Sequence, residues 1–198
     1  ALPLIQAVNI QPGMRVLEGP EPAKLPLSWQ NTGTVVSLEL WEDLHAIHEY
    51  ASEQGFANQV PALAVKAQHL PFADNTFDAV FSIGSFEMIG NERPWALSEM
   101  IRVASAEGID EPMCRPIPVP PDWAHFEQIR IFERLFRTVD WNRELFRRHG
   151  LSVTESYYFE EGDQWWVDNL RYHDGEKELI LQDGGRWLSL GLVVGEKT

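Results

Sequence analysis

The sequence predicts an α/β protein, a three-layer sandwich in which helices cover both faces of a mostly parallel sheet with an antiparallel C-terminal strand. Two observations predict it. Strand and helix candidates alternate through the first half of the chain, which is typical of parallel strands joined by right-handed crossovers. The chain has 198 residues, 44% of them hydrophobic, so it can bury one sizeable core, and we expect a single domain over residues 1–198.

Four strand candidates occupy the first half of the chain. Each is a short run of β-branched and other apolar residues, bounded by turn residues such as Pro12-Gly13. The runs are residues 14–18, 34–40, 60–65 and 78–83. Helix candidates lie between and after them at residues 23–30, 41–54 and 94–103. Gly55 is placed to end the second of these helices.

The second half of the chain is predicted to contain a proline-rich connector, a helical region and two further strands. A helical region is expected from about residue 123 to residue 149, where Gly150 ends it. Residues 151–159 and 187–196 are strand candidates, and the last is expected to close the sheet in the antiparallel direction. Before the helical region, five prolines predict an extended connector without regular structure: Pro112, Pro116, Pro118, Pro120 and Pro121.

Residues 69–81 carry the most specific local pattern. Pro71 fixes its own φ angle and keeps Leu70 extended, while Asp74-Asn75 are turn residues that tolerate left-handed backbone angles. The apolar run that begins at Phe77 shows little alternation, as expected for a strand covered on both faces. A loop at the carboxyl end of parallel strands is a place where α/β sheets bind ligands.

Charge and cysteine content limit the possible partners. The formal net charge of −14 disfavours nucleic acid and anionic lipid and favours a small neutral or cationic substrate, although acidity can also serve solubility alone. Cys114 is the single cysteine, so no internal disulfide can form, which fits a reducing compartment. No apolar stretch is long enough to span a membrane, and we expect a cytoplasmic protein. The oligomeric state stays open.

Glu39 ends the second predicted strand, as an acidic residue does in nucleoside-binding sheets. Such a carboxylate accepts hydrogen bonds from ribose hydroxyls; the alternative is a surface glutamate at a strand end. His45 and His48 share one predicted helix and could bind a metal, but a solvent-exposed helix face explains them better, and we expect no metal. Cys114 has no identifiable base in the sequence and is interpreted as a passive thiol.

Five segments together resemble the class I S-adenosylmethionine-dependent methyltransferases, in particular their type 11-like domain. The resemblance covers about residues 10–112 and rests on the combination of segments. It implies a Rossmann-like fold, S-adenosylmethionine as cofactor and methyl transfer to a small molecule. Residues 10–112 would be the cofactor-binding half, and residues 113–198 the connector, helical insert and closing strands. The segments are residues 14–19 (MRVLEG), 36–40 (VSLEL), 65–72 (VKAQHLPF), 78–82 (DAVFS) and 94–103 (PWALSEMIRV).

The resemblance also implies cofactor-binding residues. The residue after the first strand would lie against the methionine part of the cofactor, and the end of the second strand would bind the ribose. The loop before Pro71 would border adenine, and the fourth strand would approach the methionine end. No catalytic residue is assigned, because in-line methyl transfer needs alignment and desolvation more than acid–base chemistry. The residues in these positions are Gly19, Glu39 with Leu40, Ala67 with Gln68, and Ser82.

Three segments depart from the family pattern. The loop after the first strand is short and contains Pro20 and Pro22, where the family has several glycines. Lys66 replaces an aspartate that accepts a hydrogen bond from adenine, and a lysine side chain has no acceptor. Residues 104–112 are expected to hold only a stub of the fifth strand. Either the sheet edge is rebuilt, or residues are missing near Gly19 and Gly108.

The methyl acceptor is expected to bind above the strand ends. Residues 160–169 (EEGDQWWVDN) form either an aromatic lid over a small cationic or neutral acceptor or an amphipathic cover on the sheet edge. Two functions stay open, a methyltransferase and a catalytically inactive member of the fold that acts as a binding or regulatory subunit. The acceptor-site candidates are Ser85, Glu87, His125, Tyr157, Trp165 and Trp166.

Overall fold

The computed structural model describes residues 2–19, 33–39, 44–123, 125–170 and 175–198. Within them the strands are β1 Arg15–Glu18, β2 Thr34–Leu38, β3 Ala62–Leu63, β4 Ala79–Ile83, β5 Ala106–Cys114, β6 Leu151–Tyr158 and β7 Leu188–Lys197. They form one sheet in the order β3-β2-β1-β4-β5-β7-β6. Strands β1 to β5 are parallel, and β7 is antiparallel to both β5 and β6. The predicted α/β class with an antiparallel C-terminal strand is confirmed.

The third strand is shorter than predicted. It was expected over residues 60–65 but pairs with β2 only at Ala62 and Leu63. The chain turns immediately afterwards, because the Val65 amide donates a hydrogen bond to the carbonyl of Leu63, two residues back, at 3.1 Å. Because β3 lies at the edge of the sheet, it pairs with one described strand only, and no second neighbour lengthens it.

Seven helices are described. They are α1 Leu2–Ala7, α2 Leu44–Glu53, α3 Arg93–Val103, α4 Gln128–Leu135, α5 Val139–Arg148, α6 Gly162–Asp168 and α7 Lys177–Asp183, with 3₁₀ turns at Glu87–Glu92 and Pro121–Trp123. The helical region expected over residues 123–149 consists of two helices, α4 and α5. Thr138 caps α5 there: its hydroxyl accepts a hydrogen bond from the Trp141 amide at 3.1 Å. The helix expected at residues 23–30 lies outside the described residues.

Two apolar cores cover the two faces of the sheet. Leu17 and Val80 pack in the core that contains α3 and α5 residues, whereas their neighbours Val16 and Phe81 pack in the core that contains α1 and α2 residues. This alternation along strands buried on both faces explains their nearly continuous hydrophobic sequence. A third cluster joins α4, α6 and α7 beside the ends of β5 and β7.

The Leu70-Pro71-Phe72 turn is held to α3 by Arg102. The Arg102 guanidinium donates to the carbonyl oxygens of Leu70 at 2.9 Å and Phe72 at 2.7 Å. It also bonds Glu99, whose other oxygen accepts the Leu70 amide at 2.9 Å. Asn75 has the left-handed backbone expected of this turn, with φ 54°. The loop is therefore fixed by three hydrogen bonds to one turn of α3.

Strand β5 corrects the sequence prediction for residues 104–112. In place of a stub it is a nine-residue strand that pairs with β4 as far as Asp110 and with β7 throughout. The strand runs without interruption through Gly108, where a Cβ would lie 2.6 Å from Leu4 of α1. Pro112 is tolerated because β4 has already ended opposite Asp110, so the missing N–H interrupts no ladder on that side. The segment around Gly19 stays untested because residues 20–32 are outside the described range.

Glu107 is an acidic side chain fully buried in β5. Neither carboxylate oxygen has a hydrogen-bond partner among the described residues. Burial raises the pKa of Glu107 to about 8, against a partial opposing effect of Lys197. The carboxyl group is therefore mostly protonated at neutral pH, which avoids burying a charge.

We expect Arg102→Met to lower the free energy of unfolding by about 1–3 kcal/mol, because the Leu70 and Phe72 carbonyls lose a charged donor. Chemical denaturation measures the loss, and hydrogen exchange of residues 69–77 should accelerate. Arg148→Met is the matched control, since Arg148 is exposed and bonds only Glu144 one helical turn away. Equal effects of the two substitutions would contradict the role of Arg102.

Glu107→Gln should flatten the pH dependence of stability. The folded-state pKa of about 8 lies above the ordinary value of 4.5, so the unfolded chain releases its proton first and stability falls as pH rises from 4.5 to 8. The contribution is up to about 1.4 kcal/mol per pH unit. Denaturation at several pH values across this window measures the slope. The exposed control Glu53→Gln should keep it, and an unchanged slope in Glu107→Gln would refute the assignment.

Candidate functional site

A narrow apolar cleft lies at the carboxyl edge of β1, β2 and β4. Three of the sequence-predicted cofactor residues line it: Gly19 after β1, Ala67 in the loop after β3, and Ser82 in β4. These residues come from separate segments and meet only because parallel strands end at one edge of the sheet. The remaining wall is apolar and includes Leu17, Leu38, Leu70, Val80, Phe86 and Met100.

Gly19 and Ser82 are packed directly against each other. A Cβ at Gly19 would lie 2.9 Å from the Ser82 Oγ and 3.1 Å from its Cβ. The Gly19 amide also donates to the Phe81 carbonyl at 2.8 Å, continuing the β1–β4 ladder. The glycine at this position is therefore required by the close approach of two strands.

The other expected cofactor residues are placed differently. Glu39 directly follows β2, has 1% of its surface exposed, and its amide donates to the Leu63 carbonyl at 2.9 Å. Gln68 donates from its side chain to Glu92 at 2.7 Å, and Lys66 is exposed. Leu40 lies outside the described residues. Glu39 is thus buried at the end of β2 and is not a surface glutamate, while its ribose contact stays a prediction.

A larger cavity of about 340 Å³ opens on the other face of the sheet, beside the same carboxyl edge. Its floor is formed by the end of β4 and by β5, and α6 forms a wall. Asp110 is 7% exposed, and burial raises the pKa of its carboxyl group. The lining includes Ile83, Asp110, Pro112, Phe159, Trp165 and Leu190.

Helix α6 separates the two tryptophans of the predicted lid. Trp166 is 2% exposed and its indole N–H donates to the Ser189 carbonyl of β7 at 3.2 Å. Trp165 is 37% exposed, lines the cavity, and stands edge-on to Trp166 with ring centroids 5.4 Å apart. Trp166 therefore anchors the helix to the sheet, and Trp165 faces the cavity, while the lid over an acceptor stays a prediction.

Ser85 and Glu87 lie on the opposite side, away from this cavity. The Ser85 and Ser82 hydroxyls are buried and bond each other at 2.6 Å. Glu87 is 3% exposed and faces Glu111 of β5, a buried carboxyl whose pKa is raised well above its ordinary value by burial and by Glu87 itself. Arg93 is the cation of this group, and its Nη2 donates to the Leu135 carbonyl at 2.9 Å. These groups tie α3 to β5 and α4.

The remaining candidates line neither the cleft nor the cavity. His125 packs on Phe126 with ring centroids 4.1 Å apart. Tyr157 is 38% exposed and contacts the cavity-lining Phe159 edge-on. Cys114 is buried, and burial raises its pKa to about 11, as expected for a passive thiol.

Two features are absent from the described residues. They contain no cluster of three or more side chains with metal-ligand chemistry. None of their helices has the length and apolar character needed to cross a bilayer.

Most of the cavity lining was not predicted from the sequence. Asp110 and Pro112 were assigned to a stub and a connector, because acidic residues and proline are uncommon in central strands. The spacing of these residues could have indicated a strand. Residues 110 and 112 alternate with the core residues Ile109 and Met113, as in a strand with one face on the core and the other on a cavity.

Comparisons with known proteins agree with the α/β fold described above. A family model described as a methyltransferase domain matches residues 21–109. No curated protein matches the chain. Several solved structures share the fold over nearly its whole length, at identities too low to show more than the fold.

Three of these structures illustrate the range of proteins that share this fold. The [4+2]-cyclase SpnF has 16% identity and a TM-score of 0.77, with 98% of this chain and 79% of that chain covered. The YcgJ protein from Bacillus subtilis has 16% identity and a TM-score of 0.73, with 98% and 95% covered. Geranyl diphosphate C-methyltransferase from Streptomyces coelicolor A3(2), solved with Mg²⁺, geranyl diphosphate and S-adenosyl-L-homocysteine, has 12% identity and a TM-score of 0.78, with 98% and 76% covered.

The sheet order and the helices on both of its faces define a Rossmann-like α/β fold. In its fold and in residues 21–109 the chain is similar to methyltransferase domains.

Gly19→Ala should destabilise the protein by about 1–3 kcal/mol, because the new methyl group collides with Ser82. A double-mutant cycle with Ser82→Gly should recover part of the loss, measured by chemical denaturation. Gly175→Ala is the control, since a Cβ there meets nothing within 4 Å. A loss that stays the same in the Ser82→Gly background would contradict this packing.

Proposed function

We propose that this protein transfers a methyl group from S-adenosylmethionine to a small-molecule acceptor. The observation that carries the proposal is the meeting of Gly19, Ala67 and Ser82 in one cleft, with Glu39 at the end of the adjacent strand. Each of these residues stands where the family resemblance implies a cofactor contact. The chemistry of the donor set fits a nucleoside: a carboxylate for the ribose hydroxyls and an apolar wall for the adenine ring.

The protein's contribution is to position and desolvate the reactants. Bound S-adenosylmethionine supplies a sulfonium methyl group, which leaves with its bonding electrons remaining on sulfur. Glu39 would hold the ribose, and Ala67 and Gln68 would border the adenine ring. The apolar surroundings exclude water, and no titratable side chain of the cleft is required to move a proton.

The small-molecule acceptor is supported by the cavity beside β4. Its volume of about 340 Å³ is in the range of small-ligand pockets. Ile83 of its lining directly follows Ser82 in β4, so the cavity begins next to the cleft on the other face of the same strand. The net charge of −14 opposes binding of a nucleic acid acceptor.

A second candidate is a family member that does not catalyse methyl transfer. Lys66 favours it, because this exposed side chain has no acceptor for the adenine amino group. The Gln68 side chain is directed to Glu92 at 2.7 Å. In this case the fold would serve as a binding or regulatory subunit, since one fold supports many functions.

We expect calorimetric titration with S-adenosylhomocysteine to give a micromolar dissociation constant and Glu39→Gln to weaken it about ten- to a hundredfold, because hydrogen bonds to a charged group are lost. The matched control is Glu49→Gln on the exposed face of α2, which should bind like the unmodified protein.

No heat of binding at millimolar S-adenosylhomocysteine would refute cofactor binding and leave the binding-subunit candidate. Binding that Glu39→Gln does not weaken would refute the role of Glu39.

A further inference from the structure

We infer that a second cavity, which we call the junction pocket, binds a small zwitterion with an apolar body: an amino acid with an apolar or aromatic side chain. The junction pocket lies where α4 meets α5 and has a volume of about 290 Å³, near the lower end of the range for small-ligand sites. Among the described residues it shares no lining with the cleft or with the cavity beside β4. Its lining includes Ile117, Glu133, Phe136, Arg137, Thr138 and Trp141.

Two opposite charges line the junction pocket. Glu133 and Arg137 are four residues apart, a spacing at which such side chains pair when both belong to one helix. Here α4 ends at Leu135 and Phe136 is extended, so Arg137 lies outside the helix. The guanidinium donates a long hydrogen bond, 3.4 Å, to the main-chain carbonyl of Glu133, and neither side chain forms an ion pair within the described part of the chain. Both charges are therefore available to a ligand.

Trp141 holds the Arg137 guanidinium in the pocket wall. The guanidinium lies 5.4 Å from the centroid of the indole ring, a contact that orients a planar cation without neutralising its charge. Arg93 lies over the same ring at 5.2 Å, but it is 1% exposed and interacts with the carboxyl groups of Glu111 and Glu87. Arg137 is thus the cation that a ligand can reach, and a guanidinium binds a carboxylate through two parallel hydrogen bonds.

The apolar part of the lining suits the body of such a ligand. Ile117 and Trp141 are 46% and 39% exposed, so a ligand that covers them removes apolar surface from water. A ligand with only an anionic group would leave Glu133 facing a like charge, and one with only an ammonium group would leave Arg137 unmatched. An amino acid supplies both charges and an apolar side chain.

The backbone on both sides of Arg137 is fixed. The Cys114 amide donates to the Arg137 carbonyl at 3.2 Å, which ties the junction to the end of β5. The Phe136 amide donates to the Phe132 carbonyl at 2.7 Å, and the Thr138 hydroxyl caps α5. The junction pocket is therefore preformed, and little conformational entropy is lost when a ligand binds.

The experiment compares L-phenylalanine with two analogues that each lack one charge, 3-phenylpropanoate and 2-phenylethylamine. Calorimetric titration of the full chain should show L-phenylalanine binding about tenfold more tightly than the amine and about threefold more tightly than the acid. The second factor is smaller because Glu133 is exposed and its ion pairs are screened by water. An L-phenylalanine affinity that does not exceed both others, or no binding at tens of millimolar, would overturn the inference.

Two variants assign the charges. Arg137→Met should abolish the preference for L-phenylalanine over 2-phenylethylamine, and Glu133→Gln the preference over 3-phenylpropanoate, while each keeps the other preference. The control Arg130→Met removes an exposed charge of α4 that does not line the pocket and should keep both. Circular dichroism confirms folding, and the exposed Glu133→Gln serves alone if Arg137→Met does not fold. Unchanged preferences in a folded pocket variant would overturn the inference.

Competition separates the junction pocket from the proposed cofactor cleft. L-phenylalanine should bind equally well in the presence of saturating S-adenosylhomocysteine, because the two places share no described lining residue. Displacement of L-phenylalanine by S-adenosylhomocysteine would place it in the cleft and overturn the inference. L-phenylalanine binding with both charge preferences would support it even if S-adenosylhomocysteine does not bind, a result that overturns only the proposed function.

Discussion

The sheet depends on β5, because this strand joins the parallel strands to the antiparallel pair. It pairs with β4 on one edge and with β7 on the other, and no other described strand spans these two parts. The same strand carries Glu107, Asp110 and Glu111 at buried positions. Central strands are usually apolar. The free-energy cost of burying each of these carboxyl groups must therefore be offset by its local surroundings.

The three buried carboxyl groups of β5 are accommodated in three different ways. Glu107 has a raised pKa and is mostly protonated at neutral pH. Glu111 shares its surroundings with Glu87 and Arg93, which connect the strand to α3. Asp110 lies at the floor of the cavity beside Trp165. The acidic side chains of the strand therefore face the core at some positions and the cavity at others, because successive side chains point to opposite faces.

The candidate site is divided between the two faces of β4. Ser82 lies in the cleft on the α3 side, and Ile83 lies in the cavity on the α1 side. Under the proposed function, a methyl donor and an acceptor bound at these places would approach each other at the carboxyl edge of one strand. Arg102 and Glu99 hold the Leu70-Pro71-Phe72 turn beside the cleft, so a helix that forms the core also fixes this turn.

The sequence by itself determined the alternating strands, the antiparallel closure and the turn at residues 69–76, because apolar periodicity and turn chemistry are local properties. Only the tertiary structure decided that residues 106–114 form a strand, because pairing with β4 and β7 overrides the low strand propensity of acidic residues and proline. It also decided which face each site residue occupies. Trp165 and Trp166 are neighbours in sequence, yet packing against β7 places one in the cavity wall and the other in the core.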